Sequence, residues 1–130
     1  MKDSSKKIGI IGAGPAGIAA AIQLKRSGYT PLLFEKNRCG GLLRNAHLVE
    51  NYPGYYEGIS GQALSDDFIR HLAVLKIEPI YKSVQSLDYI ETDAKYMIQC
   101  NQSTYHLDRV IVASGLKPKK PSFLNTLTSY

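Results

Sequence analysis

The segment IGAGPAGIAAA, residues 11–21, places Gly12, Gly14 and Gly17 in G-x-G-x-x-G spacing directly after the apolar run KIGII. Few local patterns restrict a fold more. Lys7–Ile11 is a continuous β-favouring run, as expected of a strand buried on both faces. Pro15–Ser27 then has the composition of a helix: Pro15 suits its first turn, and Ala16, Ala19, Ala20, Ala21, Ile22 and Leu24 supply helix formers and a packing face. Gly28 stands where a C-terminal cap belongs, and Thr30–Glu35 (TPLLFE) predicts a second strand. Together they predict a β-α-β unit of about thirty residues with a right-handed crossover.

The chemistry served by this spacing is the grip of a pyrophosphate. Gly12 lets the chain turn tightly, Gly14 removes a side chain that would meet the phosphates, and Gly17 lets helix and strand pack closely. Pro15 and Ala16 open the helix, whose free amides and positive end would face the anion. Glu35 closes the second strand 18 residues beyond Gly17, where a carboxylate can accept both ribose hydroxyls and disfavours a 2′-phosphate. Spacing alone does not separate NAD from FAD.

Further along, Asn37–Tyr56 lacks a regular period, and so long an irregular stretch in a small domain is more often functional than idle. Gly61–Lys76 predicts a helix with Leu64, Phe68, Leu72 and Leu75 on one face and Ser60 as cap. A short strand is expected at Ile77–Tyr81. Val84–Ile90, Tyr96–Cys100 and Tyr105–Leu107 predict an antiparallel meander, and Arg109–Ala113 a further buried parallel strand. The expected organisation is one α/β domain over residues 1–116, a Rossmann-like doubly wound parallel sheet with helices on its faces and a small β-meander attached. A basic, irregular tail follows over 117–130.

Several function classes drop out. No apolar run reaches membrane-spanning length and the N-terminus lacks a secretion signal, so the expectation is a cytoplasmic protein without a membrane partner. The net charge of +5 is partly concentrated in the end segments KDSSKK and KPKKP, with no interleaved basic and aromatic stripe, so no nucleic-acid partner is expected. Cys39 and Cys100 form no C-x-x-C pair, and His47, His71 and His106 are scattered, so no metal site is expected.

Three segments carry a resemblance. IGIIGAGPAGIAAAIQLKRSGY (residues 8–29) resembles the N-terminal FAD-binding segment of two-dinucleotide-binding flavoproteins. CGGLLRNAHLVENYPGY (39–55) is similar to the GGQL…VENFPG segment of low-molecular-weight thioredoxin reductases and their relatives. VIVASGLKP (110–118) is similar to that family's IIATGA-x-P strand, with serine in place of threonine. The resemblance covers about residues 6–118 in the family's order and implies FAD as cofactor. It implies that the loop over Lys36, Gly40, Gly41, Leu42 and Leu43 runs along the FAD. Asn51 would lie near the flavin end, Val84 would meet the adenine through its backbone, and Ala113, Ser114 and Gly115 would pass close to the cofactor.

Departures from the family pattern set the functional expectation. The GGQ glutamine is Leu42 here, and the family's C-x-x-C pair and its later GD segment have no counterpart. Cys39 adjoins the glycine pair without a resolving partner, and no residue is a candidate catalytic acid, base or nucleophile. The resemblance implies the FAD-binding portion of an oxidoreductase that takes hydride from a nicotinamide cofactor onto flavin and passes electrons to a disulfide or other acceptor. NAD(P)H would then act through a partner chain or a further domain. The alternatives are a subunit of a split enzyme, or a non-catalytic module that binds an adenine dinucleotide or a protein. An apolar sheet edge beside RVIVA leads to the expectation of a homo-oligomer or of a partner chain completing the flavin site.

Overall fold

The computed structural model describes residues 5–117. Of the basic tail placed at 117–130, all but Lys117 lies outside the described residues. The elements run β1 (Ile8–Ile11), α1 (Pro15–Arg26), β2 (Leu32–Glu35), a 3-10 turn (Gly41–Asn45), α2 (Gly61–Val74), β3 (Ile80–Tyr81), β4 (Val84–Ile90), β5 (Lys95–Cys100), β6 (Ser103–Leu107) and β7 (Arg109–Val112). A parallel sheet has the order β3-β2-β1-β7, and β4-β5-β6 form a separate antiparallel sheet.

Both faces of the central strands β1 and β2 are covered, by different layers, whereas β7 is largely exposed at the sheet edge and is not the buried strand expected at Arg109–Ala113. Alternation along the strands sends Ile10 and Leu33 to one side, where they pack with Ile18 and Ala21 of α1 and Leu72 of α2. Ile11, Leu32 and Phe34 point the other way, onto Ile98, Cys100 and Leu107 of the meander. The helices therefore share one face, and the meander takes the face on which a further helix would sit in a fully doubly wound sheet. Gly9 in the middle of β1 permits this, because a Cβ there would lie 2.4 Å from the Leu107 side chain.

Helix ends follow the expected chemistry with small shifts. Gly28 adopts φ +90°, its amide donating to Lys25 O and that of Tyr29 to Leu24 O, which closes α1 as a Schellman motif. The Ser60 hydroxyl accepts from Ala63 N at 3.1 Å and starts α2. α2 ends at Val74 rather than Lys76: Lys76 turns left-handed (φ +54°), which lets Ile77 N reach Leu72 O and buries Ile77. β2 and β3 are shorter than the runs TPLLFE and IEPIY. Each run contains a proline without an amide donor, and pairing begins beyond Pro31 and Pro79. Among the described residues no helix is long and apolar enough to cross a membrane.

Leu107 is fully buried between the sheet and the meander. Leu107→Ala should lower unfolding free energy by about 2–5 kcal/mol, the usual loss for a buried leucine. Urea denaturation of the whole chain checks it, and a loss under about 1 kcal/mol would show that the meander does not hold the sheet.

Candidate functional site

β1 and β2 are followed in the sheet by β3 on one side, while the chain returns to the other side of β1 to lay down β7. The sheet's direction of growth reverses between β1 and β7, and a crevice opens beyond the carboxyl ends of strands at such a point. The glycine loop sits there. A Cβ on Gly12, which has φ +102°, would lie 2.3 Å from the carbonyl oxygen of Ala113, and one on Gly17 would lie 1.8 Å from that of Gly12. Both are glycine because backbone meets backbone. Gly14 differs: a Cβ there would meet nothing within 4 Å. The open space lies at the start of α1, where no side chain caps the helix and Pro15 is at the first position. The amides of Ala16 and Gly17 in that first turn are the donors an anion would meet.

The loop is fastened from three directions. Gly12 N donates to Phe34 O at 2.8 Å, Ala113 N to Ile11 O at 2.8 Å, and Gly40 N to Ala13 O at 2.8 Å. Glu35, 9% exposed, adds a fourth hold: Oε2 accepts from Ala13 N and Oε1 from Asn37 N, each at 2.9 Å. Each carboxylate oxygen has a second lone pair, so the side chain can brace the loop and still accept from a ribose. The second glycine pair abuts the first loop, since a Cβ on Gly41 would lie 3.3 Å from the Cα of Gly14.

The structure thus brings Gly12, Gly14, Pro15, Ala16, Gly17, Glu35, Gly40, Gly41 and Ala113 together at one end of the sheet, with Ser114 beside Gly12 and Gly115 following it. Lys36 is exposed next to Glu35, and Leu42 is 51% exposed within the 3-10 turn. The carbonyl oxygen of Leu43 lies 1.9 Å from where a Cβ on Gly61 would be. Asn51 and Val84 are not joined to the loop by any of these contacts. Asn51 is exposed in a turn closed by the Val49–Ile59 bridge, and Val84 packs on the meander core. The YPGYY stretch after Asn51 is a turn stabilised by aromatic packing: Tyr52 meets Tyr55 and Phe68, and the Tyr55 hydroxyl donates to Asp67.

Cys39 is buried, with Sγ 3.7 Å from the Tyr81 hydroxyl. Burial pushes its thiol up, against the hydrogen bond from Tyr81, and the Glu35 charge adds to the rise. A buried, protonated thiol is a poor nucleophile, which argues against redox work at this position. Among the described residues no cluster of His, Cys, Asp and Glu could hold a metal ion. Asn37 and Arg44 were not legible as site residues. Asn37 acts through its backbone, and Arg44 acts through long-range contacts that no spacing encodes. A cleft of about 550 Å³, lined by Lys6, Lys7, Thr30, Thr104, Tyr105 and His106 among others, lies near the amino ends of β1 and β2, away from the loop.

The sequence profile of the pyridine nucleotide-disulphide oxidoreductases matches residues 6–127. The chain belongs to that family. Among its oxidoreductase relatives, a thioredoxin reductase of Buchnera aphidicola is 35% identical over 118 residues, 91% of this chain and 36% of the relative. A glucosaminate ammonia-lyase of Pseudomonas fluorescens is 31% identical over 106 residues, 82% of this chain and 32% of that protein. The crystal structure of Lactococcus lactis thioredoxin reductase superposes with a TM-score of 0.82 at 32% identity, covering 90% of this chain and 38% of that one. The fold is that of the thioredoxin reductase-like pyridine nucleotide-disulphide oxidoreductases, and the chain spans about a third of the length of the curated relatives it matches.

Gly14→Val should abolish binding of ADP and FAD while leaving the fold intact, because the added side chain enters open space and Gly14 has an extended conformation (φ −77°). Circular dichroism with ligand titration decides, and unchanged affinity would contradict the phosphate-loop role. Glu35→Ala should weaken ADP and FAD alike by about 1–3 kcal/mol, as both carry the same ribose. Equal affinity of mutant and wild type for ADP would show that the carboxylate only braces the loop.

Proposed function

We propose that this chain holds the adenosine and pyrophosphate of FAD for a thioredoxin reductase-like oxidoreductase. One observation carries the reading: a Cβ on Gly14 would meet nothing within 4 Å, at the uncapped start of α1 and beside the second glycine pair, with the Glu35 carboxylate bonded to the same loop through Ala13 N. A pyrophosphate fits the amides and a ribose fits the carboxylate. The choice of FAD over NAD rests on the family likeness of the loop over Lys36–Leu43 and of the Ala113–Gly115 strand end.

Bound FAD supplies hydride acceptance from NAD(P)H and electron release to an acceptor. The chain's own contribution is to bind and orient. The Ala16 and Gly17 amides meet the phosphates, Glu35 accepts from the ribose, and Gly40–Gly41 let backbone approach the cofactor. Asn51 near the flavin end and Val84 at the adenine belong to the same reading. Among the described residues no side chain near the loop is assigned a proton-transfer or nucleophilic role in this reading.

A partner is part of the proposal. Among the described residues β7 pairs only with β1, and along that edge Val112 is 62% and Leu116 85% exposed. An unpaired edge with apolar side chains favours addition of a further strand. A second chain or a second copy at this edge would complete the flavin site, which is the split-enzyme form of the same function. In either form the place of work proposed is the cytoplasm.

On this reading the chain by itself should hold FAD weakly and show no NADPH-dependent disulfide reduction. Size-exclusion chromatography followed at the flavin band, with a steady-state assay using NADPH and a disulfide acceptor, tests both halves. A stable yellow monomer that turns over unaided would refute the need for a partner, and a chain that never takes up FAD or ADP would refute the cofactor.

A further inference from the structure

The second glycine pair opens the short 3-10 turn Gly41–Asn45 and lies against the phosphate loop. What holds it is Arg44. Its Nε donates to the carbonyl oxygen of Cys39 at 2.8 Å, and its Nη2 donates to Asp66 Oδ1 on α2 at 3.0 Å. The arginine side chain is 9% exposed and the Asp66 side chain 43%, so the guanidinium is enclosed while its carboxylate partner stays open to solvent on α2. Asp66 is held in turn by Gln62 Nε2, 3.1 and 3.0 Å from its two oxygens. The Gln62 hydrogen bond first, and Arg44 after it, hold the Asp66 carboxyl below the usual carboxylate range.

The guanidinium also packs onto the turn that it fixes. Gly40 is left-handed (φ +106°), and a Cβ there would lie 2.9 Å from Arg44 Nε and 2.9 Å from the Ser65 Cβ on α2. Gly40 N donates to Ala13 O, and Gly41 lies against Gly14. A continuous line of contacts therefore runs from α2 through Asp66, Arg44 and the Cys39 carbonyl to the floor of the open space over Gly14. The Glu35 oxygens are held separately, by Ala13 N and Asn37 N.

We propose that Arg44 is a positioning residue for the pyrophosphate: it braces Gly40–Gly41 from α2 so that this turn closes one side of the phosphate space, without touching the ribose acceptor. The inference rests on the dinucleotide reading above. Two contacts in one fork are needed, one to a carbonyl and one to a carboxylate, which suits a guanidinium and not an ammonium.

Arg44→Ala and Arg44→Lys in the whole chain test it through two measurements. In ligand-free protein, amide hydrogen exchange at Gly40 should quicken in Arg44→Ala while exchange at Gly12, held by Phe34 O on β2, stays as in wild type. Affinity for ADP should fall about tenfold or more, the scale for a lost hydrogen bond to a charged group. Inhibition by adenosine of a fluorescent ADP analogue should change less than about twofold, and Arg44→Lys should recover only part of the ADP loss. Unaltered exchange at Gly40 overturns the brace. ADP and adenosine falling together, or full rescue by lysine, overturns the positioning role. If wild type binds neither ADP nor FAD, the dinucleotide reading fails and the positioning role with it, whereas quickened exchange at Gly40 would still identify Arg44 as the brace of the turn.

Discussion

The carboxyl end of the sheet depends on one contact between backbones. Gly17 in the first turn of α1 lies so close to the carbonyl of Gly12 that a Cβ would fall 1.8 Å from its oxygen. Only that approach lets α1 start directly off β1 and aim its amides at the crevice between β1 and β7. The same crowding makes Gly12 abut Ala113, which ties the first strand to the last. Gly14 is then left as the single glycine of the three facing open space. One motif thus contains two kinds of glycine, two that let the protein close on itself and one that keeps room for something else.

The holding of that loop illustrates how few groups serve both structure and function. Glu35 reads as a ribose acceptor, yet in the structure both of its oxygens already accept backbone amides. A buried carboxylate bound only to a ligand would be costly in the ligand's absence, and the amides of Ala13 and Asn37 offset that cost. Cys39 shows the converse. Its place beside the glycine pair suggests chemistry, but burial and the Tyr81 hydroxyl fit it as a packing residue.

What could be read from the sequence was whatever repeats locally or caps locally. The G-x-G-x-x-G turn, α1 with its Gly28 stop, the Ser60 cap and the three meander strands all carry short-range signals, and all are present. The boundaries moved where a proline removed a donor, at Pro31 and Pro79, or where Lys76 took a left-handed turn to bury Ile77. Three features escaped for one physical reason. The single turn Gly41–Asn45 is too short to show a period, the Arg44–Asp66 pair joins residues far apart in sequence, and the layer assignment depends on which face the meander reaches. For the site, contacts join the loop glycines, Glu35 and the Ala113 strand end, while Asn51 stands in a separate turn and Val84 packs on the meander core.

Two regions compete for an anionic ligand: the crevice over Gly14, and the cleft near Lys6, Lys7 and His106 at the opposite end of the sheet. The cleft at the far end offers the exposed cations Lys6 and Lys7, whereas the crevice offers the uncapped amides at the start of α1. An amide chemical-shift titration of the isotopically labelled chain with ADP separates them most directly. The account predicts shifts centred on Gly14, Ala16, Gly17 and Gly41, with Asn37 following through Glu35. Shifts centred on Lys6, Lys7, Thr104 and His106, with the glycine loop unmoved, would contradict it.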